Sequence, residues 1–516
     1  MSLWPVSASL FLTILGYAVL MIMGLLLVAF LVFSALVLRV ERRFKGFPGP
    51  KRKSFVFGNI IDLVSGKEKL SLCNGQNIHL LVQTHGPVFW VRFLWMPHVL
   101  ACSKDIVKEL LLDSHHTKPF EIYKAFQKLF GTRFMGHGLV SEIDHEKWFH
   151  RRAIINPAFR RKYLIGMMEQ FNDSADVLCQ KLLERADGKT EVAMLDELNN
   201  VTLDVIAKVG FSLNTNAITD PDCPFPSAIT TVLHGMQQLF DSPFVDYDVR
   251  SKARNLRKRV ISCINLVRET GMKCVEERMS ARKQGERVPM DILTMILTAS
   301  NDLTSSEDFK MENLLDEFVT LFIAGQETTS NLLAFTIQQL GRHPNIAKKL
   351  RAEVDDVLGQ KPTVQYDDLA KLEYMMKVLK ETLRLYPPVG GTTRKTARPI
   401  QYKHFTIPTG TSVSVLSSVM SRMEEYFDDP LLFNPERFDT SDEEGMRRRM
   451  YAYFPFSLGQ RSCIGQQFAL IEARVLLSKL LQRFEFRLEQ GQRTTIIDQL
   501  TSKPLDKCKN YVTVRA

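Results

Sequence analysis

With 516 residues the chain is long enough for a large core, and without a Gly/Ser- or Pro-rich linker or an internal repeat it reads as one large, mostly helical domain after an N-terminal segment. A net charge of +10 suits a nucleic-acid binder, but Arg39, Arg42, Arg43, Lys45, Lys51, Arg52 and Lys53 stand close together against one acid, Glu41, so most of the excess lies beside an apolar N-terminus. That placement points to anionic lipid headgroups and away from nucleic acid. The eight cysteines form no C-x-x-C pair and read as free thiols of a reducing compartment, which excludes a disulfide framework.

No residue from Met1 to Leu38 carries a side-chain charge, and Leu10 to Leu38 is almost wholly apolar. A bilayer span needs about 20 such residues. A cleaved signal would have a shorter apolar run and a basic stretch before it. The sequence therefore predicts a transmembrane anchor over 1–38, with the positive residues behind it holding the rest of the chain on the cytoplasmic side. Residues 39–53 read as a basic, Pro-rich hinge, broken by Phe47-Pro48-Gly49-Pro50. Residues 54–516 form the main domain. Val88 to Ala101 reads as a β-hairpin with Pro97 near its turn. Tyr123, Phe126, Leu129 and Phe130 make an apolar stripe at helical spacing, for which core packing is the plain explanation. Trp148 and Arg152, four apart, share a helix face, where an indole N–H and a guanidinium suit a buried carboxylate. His145 and His150 have no second ligand at metal spacing and read as surface residues. Phe240 and Phe244 precede the basic run Arg250, Lys252, Arg254, Arg257, Lys258 and Arg259, which is either a solvated helix face or a second membrane contact.

Ala299 to Glu312 reads as a loop and about Asn313 to Gly341 as a long helix. On it Ala324, Gly325 and Thr328 share a face whose small side chains leave room for a flat cofactor. The Thr328 hydroxyl is placed to bond back to the Ala324 carbonyl, and Glu327 beside it is a polar group in a largely apolar, buried helix. Glu381 and Arg384 form an i,i+3 pair before the stop at Tyr386-Pro387-Pro388, and Arg394 follows the turn. Thr406 to Ser421 suggests short strands, and Asp439 to Arg449 a charged loop. Cys463 lies in Phe456-Ser457-Leu458-Gly459-Gln460-Arg461-Ser462-Cys463-Ile464-Gly465, just before an amphipathic helix that begins near Gln466. The helix N-terminus favours a thiolate. Gly459 and Gly465 allow a tight turn and the close approach of a flat ligand. A thiolate held this way suits haem iron.

The spacing F-x-x-G-x-R-x-C-x-G from Phe456 to Gly465 resembles the signature of the cytochrome P-450 haem-thiolate monooxygenases, and the resemblance runs from about Pro48 onward. Within that family Gly138-Leu139-Val140-Ser141-Glu142, Ala324-Gly325-Gln326-Glu327-Thr328 and Tyr453-Phe454-Pro455-Phe456-Ser457-Leu458-Gly459 look most like the cholesterol 24-hydroxylase group. The resemblance implies a mainly α fold with a minor β region, and haem b (iron protoporphyrin IX) between the Ala324–Thr328 helix and the Cys463 loop. Cys463 would be the axial iron ligand. Trp148, Arg152, Arg394 and Arg461 would hold the propionates, with Phe456 and Gly325 beside the cofactor. Thr328 and Glu327 would deliver protons during oxygen activation. Glu381, Arg384 and Arg437 would form a structural triad, and Tyr123, Phe126, Ala324, Gly390 and Thr393 would lie near the substrate.

No nucleotide-binding glycine motif occurs, so electrons would come from NADPH through a membrane-bound flavoprotein reductase. That partner would meet a positive surface made by Arg447, Arg448, Arg449, Lys479 and Arg483. O2 is the implied co-substrate, and the expected location is the endoplasmic reticulum membrane, single-pass, with the catalytic domain cytoplasmic. A sterol is the favoured lipophilic substrate. The chain departs from the cholesterol 24-hydroxylase group at Val389-Gly390-Gly391-Thr392-Thr393, where that group carries aromatic side chains, which implies a wider cavity. Fatty acids and other steroids stay open. So do a haem isomerase or peroxide-using enzyme that needs no reductase, and a non-catalytic haem or sterol binder.

Overall fold

A run without charge has one low-energy form in hydrocarbon, the helix, because every backbone N–H and C=O must then be satisfied within the segment. In the computed structural model, which describes residues 4–60, 75–242, 245–301, 311–439, 441–493 and 496–515, that run is the helix α1 (Trp4–Arg43). It continues five residues beyond Leu38, so the first part of the expected hinge is helical. The rest of the hinge is tied down. Phe44 stacks on Trp90 at 4.5 Å, and the Trp90 N–H donates to the Pro48 carbonyl at 3.0 Å.

The helices that carry the argument further are α2 (Phe120–Gln127), α3 (His145–Ile155), α4 (Met194–Phe211), α5 (Pro224–Asp241), α6 (Ser251–Lys283), α7 (Met311–Arg342), α8 (Glu373–Leu385), α9 (Glu443–Arg449) and α10 (Gln466–Arg483). The strands are β1 (Val88–Phe93), β2 (Met96–Ala101), β3 (Asp187–Ala193), β4 (Thr392–Lys395), β5 (Ser412–Val415), β6 (Phe484–Leu488), β7 (Ile496–Gln499), β8 (Thr501–Pro504) and β9 (Lys509–Val514). One sheet has the order β1-β2-β5-β4, with β2 and β5 parallel and the outer pairs antiparallel. A second has the order β6-β9-β3, and β7 pairs with β8 as a hairpin. The protein is thus mainly helical with small sheets.

Two apolar cores follow this division. The helical core surrounds α7, and a smaller one lies under the β1-β2-β5-β4 sheet. Phe318 and Phe322 of α7 stack 5.4 Å apart, and Phe211 of α4 stands 4.3 Å from Phe318. Full burial of each such ring is worth about 1.5–3 kcal/mol. From Leu314 to Leu340 every residue of α7 is buried except Ala324, Gly325 and Thr328. That interruption locates the site.

Other expectations change. Residues 299–301 end a helix and 311–312 begin α7, while 302–310 lie outside the described residues. Thr406 to Ser421 supplies two strands and then a helical turn, Ser417–Met420. The expected loop at Asp439 to Arg449 contains α9, which buries nothing. Its support is local: the Asp442 carboxylate accepts the Gly445 N–H at 2.8 Å, and three arginines sit at the C-terminal end, where cations complement the helix dipole. Among the described residues no disulfide forms; Cys73 lies outside them.

Candidate active site

The Phe456–Gly465 loop is built from tight turns. The Ser462 N–H donates to the Gly459 carbonyl at 3.1 Å and the Cys463 N–H to the Phe456 carbonyl at 2.9 Å. Gly459 has φ +70°, and a Cβ there would strike the Leu111 carbonyl oxygen, so only glycine serves. Gly465 has an ordinary φ of −84°; its missing Cβ instead keeps open the space 3.9 Å from Cys463 Sγ. Protein packs closely enough around Cys463 to push its thiol pKa up by burial, against the Gly465 N–H and the Arg152 guanidinium. Yet the side chain keeps accessible surface. The sulfur therefore faces an internal space.

The opposite wall is α7. Glu472 of α10 lies against Thr329, which brings the helix behind Cys463 up to the interruption in α7. The Thr328 hydroxyl donates to the Ala324 carbonyl at 2.9 Å. Ala324 and Thr328 give the open face its small side chains. Gly325, part of the same interruption, also has a packing role. A Cβ there would lie 2.7 Å from Cγ1 of Ile206 on α4, so the glycine permits the contact between α4 and α7. Glu327 is buried, and its Oε1 stands 3.5 Å from Lys503 Nζ on β8. Burial raises the Glu327 pKa while Lys503 lowers it, a balance that suits an acid meant to exchange a proton. Lys503 gave no signal in the sequence, since a lysine in a short strand reads as a solvated charge.

Three cations occupy one field. Lys118, Arg394 and Arg461 are all pushed toward their neutral forms by burial, Lys118 well down and Arg461 to about 9, and Arg394 adds to the shift of the other two. Lys118 donates to the Val140 carbonyl and stands 4.5 Å above the Tyr123 ring. Arg394 donates to Thr392 Oγ1 at 2.8 Å and to the Thr393 carbonyl at 3.0 Å. Arg461 donates to the Glu142 carbonyl at 2.7 Å and stacks 4.1 Å over the buried ring of Trp148. Among the described residues no carboxylate lies within ion-pair distance of any of the three. Grouped, desolvated cations without an acid call for an anionic ligand. The two propionates of a haem whose iron meets Cys463 fit this donor set. Asp144 caps α3 by accepting the Glu146 and Lys147 N–H groups, which fixes the helix that carries Trp148.

Several expected neighbours fall elsewhere. Arg152 donates to the Ser462 carbonyl at 2.9 Å and stands 6.0 Å from the Trp148 ring that Arg461 stacks on. Tyr123 belongs to the cation cluster. Phe126 packs between Tyr123 and Phe240, 5.5 and 6.2 Å away, so Phe240 turns inward rather than toward lipid. Phe244 lies outside the described residues, Arg250 pairs with Asp248, and Arg257 holds the Val245 and Asp248 carbonyls. Thr393 points to the sheet, its hydroxyl 2.7 Å from that of Ser414. A Cβ on Gly390 would come within 2.9 Å of Ser418 Oγ, so the glycine gives the Ser418 side chain room.

Glu381, Arg384 and Arg437 meet in one buried cluster. Glu381 accepts from Arg384 at 2.7 and 2.8 Å and from Arg437 at 3.1 Å. Arg384 also reaches the Ser421, Pro430 and Leu432 carbonyls. The expected positive docking surface is largely neutralised. Arg447, Arg448 and Arg449 pair with Glu443, Asp428 and Asp442, and Lys479, buried, shares Asp176 with Arg483.

The family description Cytochrome P450 matches residues 48–510. The chain belongs to the cytochrome P450 family. The Drosophila melanogaster protein cytochrome P450 4d2 is 31% identical over 480 residues, 89% of this chain and 93% of its own length. Cytochrome P450 3A9 of Rattus norvegicus is 27% identical over 453 residues, 86% of each chain. Cytochrome P450 72A68 of Medicago truncatula is 33% identical over 431 residues, 80% of this chain and 78% of its own. Relatives of similar identity thus spread over differently named groups of the family. As a cytochrome P450 the protein is a monooxygenase that uses haem and O2 with electrons from a redox partner, and lipophilic substrates are general in the family.

Proposed function

We propose that this cytochrome P450 hydroxylates a C–H bond of a sterol at the endoplasmic reticulum membrane, with α1 as a single-pass anchor and the catalytic domain cytoplasmic. Haem b would be the cofactor, and NADPH would supply electrons through the membrane-bound flavoprotein reductase. The observation that carries the reading is the opening at Ala324 and Thr328 in an otherwise buried helix, facing the space that Cys463 borders. Cys463 would ligate the iron; Arg394, Arg461, Lys118 and Trp148 would hold the propionates; Arg152 and the Gly465 N–H would support the thiolate. Bound haem supplies the activation of O2 and the transfer of one oxygen atom to the substrate. The protein's own residues manage protons and water. The Thr328 hydroxyl, held by its bond to Ala324, passes a proton inward, and Glu327 resupplies it; such groups contribute about 10²–10⁴-fold. Phe126 and Phe240, packed on each other and on Tyr123, would add apolar surface on the substrate side. A sterol is supported by the anchor and by the short phrases shared with cholesterol 24-hydroxylase.

A spectral titration against cholesterol, other steroids and fatty acids, followed by mass analysis of products formed with reductase and NADPH, tests the reading. A hydroxysterol supports it. A hydroxylated fatty acid as sole product moves the substrate class, and tight sterol binding without NADPH or O2 consumption leaves only a binder.

A further inference from the structure

The segment 136–142 runs as a strap between α7 and the three clustered cations. Backbone contacts lay it on α7. The His137 N–H donates to the Asp316 carboxylate at 2.8 Å and the Leu139 N–H to Glu317 Oε2 at 3.1 Å. Gly136 and Gly138 permit this approach: a Cβ on the first would strike the Asp316 carboxylate, and one on the second the Thr320 hydroxyl. The carbonyls of the strap serve the cations. Val140 accepts from Lys118, Ser141 from Gln127 at 3.1 Å and Glu142 from Arg461 at 2.7 Å. Ser141 Oγ closes the strap on itself by donating to the Gly136 carbonyl at 2.8 Å. Where the strap sits therefore decides where Lys118 and Arg461 stand.

The two acids beneath the strap are held differently. Asp316 is matched by Arg133 at 2.5 Å and Arg268 at 3.0 Å. Glu317 is 4% exposed and has no cation within ion-pair distance among the described residues. Its Oε2 takes the Leu139 N–H, and its Oε1 has no hydrogen-bond partner among the described residues. One N–H is weak support for a buried carboxylate, so the neutral acid is the favoured form. Burial raises the Glu317 pKa to about 8. Asp316 beside it and Glu142 on the strap push the same way, while the Leu139 N–H and Arg151 of α3 oppose them.

We infer that Glu317 is a positioning residue for the haem: by holding Leu139 it seats the strap, and through the strap it sets Lys118 and Arg461 toward the propionates. The inference rests on the reading of those cations as propionate donors. The hold answers to pH. When the strap lifts, the Glu317 carboxyl meets water and returns to an ordinary value of about 4.3. Between that value and about 8 the lifted form has lost a proton that the seated form keeps. Rising pH therefore favours lifting, by up to about tenfold per unit, and the effect levels off above the seated value.

The test follows haem transfer from the full-length protein to excess apomyoglobin across that interval. Glu317→Gln keeps an oxygen for the Leu139 N–H but cannot ionise. Titration of Cys463, Lys118 and Arg461 is common to both proteins and cancels in the ratio of their rates. That ratio, wild type over E317Q, should climb with pH and flatten near pH 8. Hydrogen exchange of the Leu139 amide, corrected for its intrinsic pH dependence, should trace the same curve in the wild type and stay flat in E317Q. A ratio that does not change with pH overturns the inference, as does a Leu139 amide that exchanges as fast in E317Q as in Glu317→Ala. Two further variants separate the readings. Haem transfer from Lys118→Met and Arg461→Leu at the wild-type rate refutes the propionate reading itself. Faster transfer from both, with a flat E317Q ratio, refutes the role of Glu317 alone.

Discussion

Glu327 and Lys503 come from distant parts of the chain, and their meeting would set the proton chemistry proposed beside Thr328. Lys503 lowers a pKa that burial raises. Removing its charge therefore raises the Glu327 pKa further, and the ionised form is reached only at higher pH. Lys503→Met is expected to move the alkaline limb of the kcat profile, where Glu327 loses the proton it delivers, to higher pH and to divert NADPH from product to peroxide, while Lys503→Arg keeps the profile in place. An unmoved limb in the methionine variant would give Lys503 a packing role only. Cys463→Ser replaces a thiolate with a neutral hydroxyl, a poor iron ligand. The reduced carbonyl complex is expected to lose its red-shifted Soret band together with turnover; retention of both would mean a different axial ligand. Cys463 was legible because its motif is local. Lys118 and Lys503 were not, because a lysine acquires meaning only from what the fold packs around it.

At the scale of elements, periodicity found the long helix and the helix behind the cysteine, since a buried face repeats in the sequence. It missed α9, which has no buried face and stands on its cap and terminal charges. It did not show the packing role of Gly325, whose neighbour Ile206 lies on α4, far away in the chain. Gly325→Ala is expected to destabilise by about 1–3 kcal/mol through overpacking. Ile206→Ala costs stability on its own through a cavity. Combined, the two should cost less than their sum, because the new methyl enters the space the isoleucine leaves. Urea unfolding of the four proteins measures this coupling, and strict additivity would mean that the helices simply slide apart. The pairing of Arg447, Arg448 and Arg449 with acids likewise could not be read from the run of arginines, because Asp428 lies on another loop.

For the whole molecule, the C-terminal turns of α1, the proposed anchor, are part of the folded structure rather than a tether: the positions covered between Phe33 and Phe44 form one stripe, in which Glu41 pairs with Arg92 and Phe44 stacks on Trp90. A truncation that starts at residue 46 removes Glu41 and Phe44 and leaves the buried Arg92 without its carboxylate partner. One that starts at residue 33 keeps the whole stripe. The longer protein is expected to melt higher in detergent, by an amount on the order of 2 kcal/mol after allowance for the partial exposure of Glu41. Equal melting would show that the docked turns add nothing to stability.

The order of the three-stranded sheet has its own consequence. β9 is the central strand, between β6 and β3, and β3 is made roughly 300 residues earlier. During synthesis β3 leaves the ribosome and waits about 15–60 s before its partner exists. For that interval its edge lies open to any other nascent chain, so this sheet, like the parallel β2–β5 pair with a similar gap, ties the birth of the protein to chaperones and to how evenly the message is translated.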